Sequence, residues 1–427
     1  MSQGALPGFR DFYPDQLATR NYIMSVWREV ARRYGFVEYD GPPLEPLELY
    51  TRKSGEEIVG QLYNFTDKGD RQIALRPEMT PTLARMVAAK ANALRKPIRW
   101  FSIPQLFRYE RQQKGRLREH FQLNVDIVGE SSVAADAELL AVAIDIMRAA
   151  GLTAKDVRAR VSDRRLLTSL LATVGVELGE LPAVFAAFDK TGREPRQVTR
   201  DKIAAAVANV DARQGVQRLL EHAKDLDALA RDFGGAAQVM EEIAGMREYL
   251  AFLDALGVKE WVDFDLSIVR GLAYYTGKVF ELFDAGGEYR AICGGGRYDD
   301  LLATIGGVDL PALGFGMGDV VLTEILRARN LLPSTLSATE YWVASDDEGM
   351  FADVMRVAGR LRAKSRSVEY ALKPQSLSRQ LKTASSAGVR SVVLLRQPDY
   401  QNGKVTVKTM SDGSEQKVAL DAFLDSL

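Results

Sequence analysis

The sequence has very few residues of the types that bind transition metals or form disulfide bonds. Its 427 residues include one cysteine, Cys293, and two histidines, His120 and His222. A single cysteine excludes an intramolecular disulfide bond and fits a reducing compartment. So few sulfur and imidazole groups also argue against a zinc site or a cysteine–histidine catalytic pair. We therefore predict no metal site made by the protein, and chemistry that depends on arginine, lysine, tyrosine and carboxylate side chains.

The sequence also lacks an excess of charge of one sign and long apolar runs. The formal net charge is −1, so any contact with nucleic acid must come from local basic patches. No run approaches the roughly 20 apolar residues that a membrane helix needs, and the first residues do not resemble a secretory signal. The composition, 46% hydrophobic and 26% charged, is that of an ordinary globular protein. These features predict a cytoplasmic protein without membrane spans, long enough for two or three domains.

The hydrophobic pattern divides the chain into alternating and helical segments. A helix is predicted from Pro14 to Gly35, because apolar residues recur there at helical spacing. Two further helices are predicted at 81–90 and 134–150, and the Ala-, Leu-, Arg- and Glu-rich segment 164–249 is predicted to be a helical insertion. Strands are predicted at 36–39, 61–66, 72–75, 100–110, 119–129, 263–269, 274–283 and 289–293. After a break near 330–334, a small α/β domain with some parallel strands is expected.

The segment 108–118 concentrates positive charge between two predicted strands. Five of its eleven residues are basic, and Gly115 is placed at the loop tip. Guanidinium groups match phosphate oxygens in two-point contacts, so this loop suits a polyphosphate or a nucleic-acid backbone. A solvated hairpin tip is the alternative, but apolar strands on both sides favour a loop anchored to the core.

The strand after this loop carries a polar face of unusual composition. Alternation places on one face a mixture of basic, amide and acidic side chains, namely Arg118, His120, Gln122, Asn124 and Asp126. A solvated sheet surface would more often carry Lys, Glu and Thr. We therefore favour the floor of a binding site over a solvated face.

Two glycine-rich segments supply further candidates. Three consecutive glycines start at Gly294, where they are either a turn or a strand that passes close to a ligand. The Gly-Phe-Gly-Met-Gly segment at 314–318 precedes a helix and only loosely resembles a phosphate-binding loop, so a packing role is the alternative.

Several of these segments resemble the signatures of one enzyme family. Arg-Tyr-Glu-Arg at 108–111 with its basic loop is similar to motif 2 of class II aminoacyl-tRNA synthetases, 35–43 to motif 1 and 314–318 to motif 3. Leu-Arg-Pro-Glu-Met-Thr at 75–80, Val-Arg-Gly-Leu-Ala-Tyr-Tyr at 269–275 and Gly-Gly-Arg-Tyr-Asp at 295–299 resemble signatures of the histidyl-tRNA synthetases. The likeness extends from about residue 8 to the C-terminus.

This resemblance implies an α+β fold in three parts. A catalytic domain on an antiparallel sheet is formed by residues 1–163 and 251–332, interrupted by a helical insertion at 164–250. Residues 338–427 are expected to form an α/β anticodon-binding domain. The family also implies a homodimer that takes L-histidine, ATP with its Mg²⁺, and histidine tRNA as substrates.

The resemblance also assigns roles by position. The catalytic residues it implies are Arg108 and Arg270, on either side of the α-phosphate. Those expected to bind histidine are Glu78, Met79, Thr80, Arg108, Gln122, Asp126, Arg270, Tyr274 and Tyr275. Those expected to bind ATP are Arg108, Glu110, Arg116, His120 and Arg270. Fixed guanidinium groups suit this reaction, because negative charge builds on the α-phosphate as pyrophosphate leaves.

The chain departs from the family pattern at four positions. Ala273 replaces an acidic residue, Val321 replaces the arginine of motif 3 that stacks on adenine, and the usual Phe-His order is reversed at His120 and Phe121. Two other functions therefore stay in view. One is the histidine-sensing regulatory subunit of ATP phosphoribosyltransferase, which lacks the anticodon-binding domain; the other is a tRNA-binding sensor module.

We predict that Arg270→Ala leaves a folded dimer but nearly abolishes histidine-dependent pyrophosphate exchange. Removal of one preorganised charge at the transition state costs about 2.7–4 kcal/mol, or a hundred- to thousandfold in rate. The measurement is the exchange of labelled pyrophosphate into ATP. A rate within about threefold of the unchanged protein, well inside that range, would remove Arg270 from the mechanism.

Overall fold

The computed structural model describes residues 4–51, 60–110, 115, 117–191, 194–269, 274–333 and 339–427. The chain forms two compact units, Met1–Leu332 and Pro333–Leu427. The strands of the first unit are β1 (Val37–Glu38), β2 (Leu44–Pro46), β3 (Asn64–Thr66), β4 (Gln72–Leu75), β5 (Ile98–Ser102), β6 (Gln105–Phe107), β7 (Glu119–Val128), β8 (Val157–Asp163), β9 (Val262–Phe264), β10 (Lys278–Asp284), β11 (Cys293–Arg297) and β12 (Ala312–Gly318).

The helices of the first unit pack on both faces of the main sheet and build the segment after β8. They are α1 (Pro14–Arg33), α2 (Glu48–Thr51), α3 (Thr80–Lys90), α4 (Val133–Ala149), α5 (Arg164–Thr173), α6 (Leu181–Asp189), α7 (Arg196–Ala206), α8 (Val210–Glu221), α9 (Leu226–Phe233), α10 (Ala237–Ala255), α11 (Leu301–Gly306) and α12 (Asp319–Ala328). None of the helices in the described part of the chain is long and apolar enough to cross a membrane.

The main sheet has the strand order β1-β5-β7-β12-β11-β10-β8-β9, with β6 paired to β7. All pairs from β5 to β8 are antiparallel, whereas β1 and β9 join the two edges in parallel. The apolar face of β7, with Leu123, Val125 and Ile127, is fully buried in a core that includes α1 and α4. The opposite face of the same strand is therefore left for polar side chains, as the alternation predicted.

Helix α1 shows how local sequence sets these elements. Pro14 occupies the first helical turn, where a missing N–H costs nothing, and Gly35 follows the helix with φ +75°. Trp27 and Val30 on its inner face are fully buried. The predicted extent of this helix is confirmed.

Five predicted strands have clearly different bounds in the structure. Those predicted at 61–66 and 263–269 are reduced to Asn64–Thr66 and Val262–Phe264. The strand predicted at 100–110 is divided at Pro104 into β5 and β6, because proline cannot donate a ladder hydrogen bond. The strand predicted at 274–283 begins only at Lys278, so both tyrosines of that motif precede it. The strand predicted at 289–293 instead starts at Cys293 and continues through the three glycines, which rules out a turn there.

The helices from α5 to α10 pack around a hydrophobic core of their own. Its buried members come from all of these helices and include Leu170, Phe188, Ile203, Leu219 and Ile243. A separate core is what an inserted helical segment needs in order to fold against a sheet that already has its own core. Strand β8, which leads into α5, was not predicted and pairs with β10 along seven residues.

The second unit is a five-stranded sheet with helices on both faces. Its elements are β13 (Tyr341–Ser345), α13 (Phe351–Ala363), β14 (Val368–Tyr370), α14 (Leu377–Ser386), β15 (Ser391–Leu395), β16 (Lys404–Thr409), β17 (Glu415–Ala419) and α15 (Leu420–Asp425). The order is β14-β13-β15-β16-β17, with parallel pairs around β13 and antiparallel pairs beyond β15. The prediction of a small α/β fold with some parallel strands is confirmed.

A buried ion pair joins the end of β11 to helix α4, on the face of the sheet against which α1 and α4 pack. Arg297 donates to Asp136 at 2.9 Å, and both side chains are at most 5% exposed. The same guanidinium donates to the carbonyl oxygens of Glu130 and Ser132 and to the carboxylate of Asp299. Burial nevertheless raises the pKa of Asp136 to about 6, because its desolvation outweighs the attraction of the arginine.

We predict that Arg297→Gln lowers the free energy of unfolding by about 3–5 kcal/mol, because it leaves the Asp136 carboxylate buried without its counter-charge. Arg247→Gln is the matched control, since its ion pair with Asp227 is exposed and should contribute at most about 1 kcal/mol. Urea denaturation followed by tryptophan fluorescence measures both. Equal losses in the two variants would show that the buried pair has no special role.

Candidate functional site

A cavity of about 820 Å³ opens over the polar face of the main sheet. Side chains from the predicted site line it, namely Arg108, Glu110, His120 and Gln122, together with Gly115 and Val321. The cavity also extends across the glycines of β11 and β12 toward β10 and β8. Two side chains of the mixed polar face of β7, His120 and Gln122, thus line a cavity, whereas Asn124 and Asp126 further along the same face are buried.

The glycines of β12 make room for the side chains of β7. Gly314 pairs with Asp126, and a Cβ atom added there would lie 2.1 Å from Asp126 Oδ1. A Cβ atom on Gly316 would lie 2.8 Å from the amide group of Gln122. The segment 314–318 is a strand, so the interpretation as a phosphate-binding loop is wrong. Its glycines let the neighbouring side chains lie flat over the sheet.

A buried carboxylate lies beside these glycines. Asp126 is 5% exposed and accepts a short hydrogen bond from the hydroxyl of Tyr298. Burial raises the pKa of Asp126 to about 7, although the tyrosine hydrogen bond acts in the opposite direction. Near neutral pH such a carboxyl exchanges readily between its protonated and charged forms, and a ligand that donates an N–H would favour the charged form.

Three tyrosine rings are packed next to this carboxylate. The rings of Tyr274 and Tyr275 are 5.0 Å apart, and Tyr298 lies edge-on at 5.8 Å from Tyr274. Tyr274 and Tyr275 thus reach the predicted site, from the loop before β10 rather than from a strand. Tyr298 was not predicted as a site residue, although it belongs to the Gly-Gly-Arg-Tyr-Asp signature.

Arg108 is held in place by the segment before α3. Its Nε donates to the carbonyl oxygen of Pro77 at 2.9 Å, and Nη1 lies 4.0 Å from Glu110. Glu78, the next residue along that segment, is 7% exposed. Burial raises the pKa of Glu78, and the charge of Arg108 opposes this change. The structure thus brings together the acid and the arginine of two separate sequence motifs.

Some of the remaining predicted residues lie next to Glu78, and others lie outside the described part of the chain. Met79 is buried and precedes α3, and Thr80 is the first residue of that helix, directly after Glu78. Arg116 and Arg270 lie outside the described residues. Val321 lines the cavity, and its Cγ2 would be 3.5 Å from a Cβ atom on Gly115, so this departure from the family pattern faces the basic loop.

Several charged residues of the cavity were not predicted. Glu281 and Arg160 face it from paired positions on β10 and β8, Arg290 comes from the loop before β11, and Lys190 follows helix α6. None of them belongs to one of the sequence motifs. Strand pairing brings Glu281 and Arg160 together, and no local pattern in the sequence indicates that pairing.

Within the parts of the chain that the structure describes, no cluster of three or more His, Cys, Asp or Glu residues is arranged to hold a metal ion. The polar side chains of the cavity are three arginines, a lysine, a histidine, three carboxylates, an amide and a tyrosine. Such a set binds phosphate and polar organic ligands through charge and hydrogen bonds.

Family models match both units of the chain. Residues 8–319 match the model for histidyl-tRNA synthetase, and residues 341–427 match the model for an anticodon binding domain. The histidine–tRNA ligase of Opitutus terrae is 43% identical over 97% of this chain and 95% of its own length. The chloroplastic/mitochondrial histidine–tRNA ligase of Arabidopsis thaliana is 41% identical over 97% of this chain and 84% of its own.

Solved structures show the same fold. Histidyl-tRNA synthetase from Nostoc superposes with a TM-score of 0.86 at 22% identity, over 100% of this chain and 99% of that chain. A Bacillus halodurans protein described as an ATP phosphoribosyltransferase regulatory subunit/histidyl-tRNA synthetase superposes with a TM-score of 0.76 at 23% identity, over 92% of this chain and 98% of that chain. At these sequence identities the structural similarity establishes the fold alone.

Fold and site together define an aminoacyl-tRNA synthetase, with an antiparallel sheet under an arginine-lined cavity and a separate α/β unit. Within that class, the family match over residues 8–319 and the identity of about 40% to full-length relatives decide the membership. The chain belongs to the histidyl-tRNA synthetase family.

We predict that Gly314→Ala lowers the free energy of unfolding by about 1–3 kcal/mol, because the added methyl group overlaps the Asp126 carboxylate. Combined with Asp126→Ala, the same change should cost less, since the carboxylate atoms that overlap the methyl group are gone and only the Tyr298 hydroxyl, 2.8 Å from it, remains close. Thermal and urea denaturation of the two single variants and the double variant measure this. If the losses in free energy of unfolding of the two single variants simply add in the double variant, Gly314 is not needed to make room for the Asp126 carboxylate.

Proposed function

We propose that this chain is a histidine–tRNA ligase. It activates L-histidine with ATP to histidyl-adenylate and pyrophosphate, and then transfers histidine to the 3′ end of its tRNA. The observation that carries the proposal is the buried carboxylate of Asp126, beside a cavity lined by arginines and glycines. A carboxylate with no charged partner within hydrogen-bonding distance among the described residues suits a substrate that brings an N–H group of its own.

The histidine half of the site is centred on Asp126. Its carboxylate accepts a hydrogen bond from the imidazole, while the amide of Gln122 and the rings of Tyr274 and Tyr275 close around the side chain. The amino group binds at Glu78, Met79 and Thr80, where a buried carboxylate supplies the negative charge. Arg108 is close enough to Glu78 to influence its pKa, which suits a residue that also holds the carboxylate of histidine.

The nucleotide half lies toward the other end of β7. Arg108 holds the α-phosphate, with Glu110 and Arg116 over the ATP and His120 against the adenine. Arg270 approaches the α-phosphate from the opposite side. Attack by the histidine carboxylate forms the bond to the α-phosphorus as the bond to pyrophosphate breaks, and the fixed guanidinium groups stabilise the charge that develops.

A Mg²⁺ ion enters with the phosphates of ATP in this proposal. The carboxylates of Glu110 and Glu281 line the cavity, and oxygen donors of this kind are those that Mg²⁺ prefers. The ion supplies positive charge to the β- and γ-phosphates when it is bound.

The domain division that we propose assigns the contact with tRNA to a separate part of the chain. Residues 1–163 and 251–332 form the catalytic domain, 164–250 the helical insertion, and 338–427 the domain that reads the anticodon. We also propose a homodimer that works in the cytoplasm. The regulatory-subunit alternative is not favoured, because the matched relatives are histidine–tRNA ligases over nearly the whole chain and the anticodon-domain model matches 341–427.

Histidine-dependent exchange of pyrophosphate into ATP tests the proposal. The unchanged protein should catalyse it, whereas a regulatory subunit or a sensor module should not. We predict that Asp126→Leu raises the histidine KM steeply and leaves the ATP KM nearly unchanged. A site built to pair with a substrate N–H discriminates by about 10⁴–10⁵ against ligands that lack it, and the leucine variant loses that pairing from the protein side.

Asp126→Asn is the matched control, because it keeps the shape and one acceptor oxygen. Its histidine KM should lie between that of the leucine variant and that of the unchanged protein. If ATP binding suffers as much as histidine binding in the leucine variant, Asp126 does not belong to the histidine half of the site.

A further inference from the structure

Arg10, near the start of the chain, bridges two carboxylates that are almost fully buried. Its Nε donates to Glu119 at 2.6 Å and its Nη1 to Asp319 at 2.9 Å. The two carboxylates are 1% and 3% exposed, and the arginine is 25% exposed. Charges removed from water to this degree are tolerated only when they are paired, so loss of the arginine leaves two buried anions.

The second oxygen of Asp319 is bound to the backbone of β7. Oδ1 accepts the N–H of Phe121 at 3.0 Å, between His120 and Gln122, which both line the cavity. Asp319 is also the first residue of α12, where a negative charge is favourable at the helix N-terminus. One carboxylate thus connects Arg10, strand β7 and the start of helix α12.

The segment that carries Arg10 is itself fixed to β7. The carbonyl oxygen of Gly8 accepts the N–H groups of Arg118 and Glu119. Gly8 has φ +89°, and a Cβ atom there would lie 2.7 Å from the Arg118 side chain, so only glycine fits. The Arg20 guanidinium lies 4.6 Å from the ring centre of Phe121, which adds a second contact of the N-terminal region with this strand.

These contacts surround one particular part of the cavity. Val320 and Val321, in the first turn of α12, form one wall, and His120 on β7 belongs to the adjacent wall. Asp126 lies six residues further along β7, or about 20 Å at 3.4 Å per residue. The network therefore touches the end of the site that the proposed function assigns to the nucleotide, far from the buried carboxylate.

We propose that Arg10 and Asp319 are positioning residues for the nucleotide half of the site. They touch no reacting atom. They hold the first turn of α12 at a fixed distance from β7, so that His120 and Val321 are correctly spaced for the adenine. This inference rests on the proposed function, namely that ATP occupies the cavity with its adenine at the end formed by His120 and Val321.

Three variants test the role of this network. Arg10→Gln removes the bridge, and Asp319→Asn removes one charge while keeping an oxygen for the Phe121 N–H. Arg10→Lys keeps the charge but cannot bridge both carboxylates in the same geometry. We predict that Arg10→Gln and Asp319→Asn each raise the ATP KM about five- to tenfold and change the histidine KM less than twofold, while Arg10→Lys is intermediate. A five- to tenfold change corresponds to the partial loss of one positioning contact, since tenfold is 1.4 kcal/mol.

The ATP dissociation constant, measured by calorimetry without histidine, should rise by the same factor as the KM. Arg99→Gln is the matched control. It breaks an ion pair of similar length, 2.6 and 2.8 Å to Glu138, between β5 and α4 on the face of the sheet opposite the polar face of β7. It should leave ATP binding unchanged even if it lowers thermal stability.

The outcomes separate this inference from the proposed function. Unchanged ATP binding in Arg10→Gln and Asp319→Asn, or equal rises in the ATP and histidine KM values, would overturn the inference alone. Failure of the unchanged protein to bind ATP would overturn the proposed function and the inference with it. If Arg10→Gln does not fold, the same comparison is made with Asp319→Asn and Arg10→Lys, whose smaller changes keep part of the network.

Discussion

The rest of this molecule depends on one constraint: four glycines on two neighbouring strands leave part of one sheet face without side chains. A sheet face is normally filled by side chains every second residue, and no cavity of substrate size forms above it. Here Gly314 and Gly316 on β12 lie beside Gly294 and Gly296 on β11, so four positions of one face carry no Cβ atom. The side chains of β7 can then lie over the glycines, and the cavity extends from β7 to β8.

Two buried carboxylates of the proposed site, which are not among the residues that line this cavity, suit a ligand that carries a positive charge or an N–H group. Burial raises the pKa of both Asp126 and Glu78, and each has a single opposing influence, Tyr298 for the first and Arg108 for the second. The structural pair Arg297–Asp136 differs, because its carboxylate is bound by an arginine through two nitrogens. Buried acids that lack such a partner are costly for the free protein, and binding a cationic or N–H-bearing substrate offsets that cost.

Sequence alternation predicted the parts of the site that lie on one strand. It could not predict which distant strands pair with each other. The polar face of β7 follows from a period of two, so the alternation alone places Gln122 and Asp126 on one face. The helix Pro14–Arg33 and the α/β fold of the second unit were also predicted from local pattern. By contrast, Glu281 and Arg160 meet only because β10 and β8 are neighbours, although positions 160 and 281 are 121 apart in the chain.

The same limit explains why the contribution of the first residues of the chain was missed. Arg10, Glu119 and Asp319 are separated by 109 and 200 positions, and each alone has the pattern of an ordinary surface charge. Only the fold makes them one buried network. It lies at the end of the site where the family pattern is broken, at His120 and Val321. In the function that we propose, adenine lies at this end, where a valine cannot hold it by charge. Base recognition would then depend on the spacing between α12 and β7, and we propose that the buried carboxylate of Asp319, on α12 and bound to the backbone of β7, fixes that spacing.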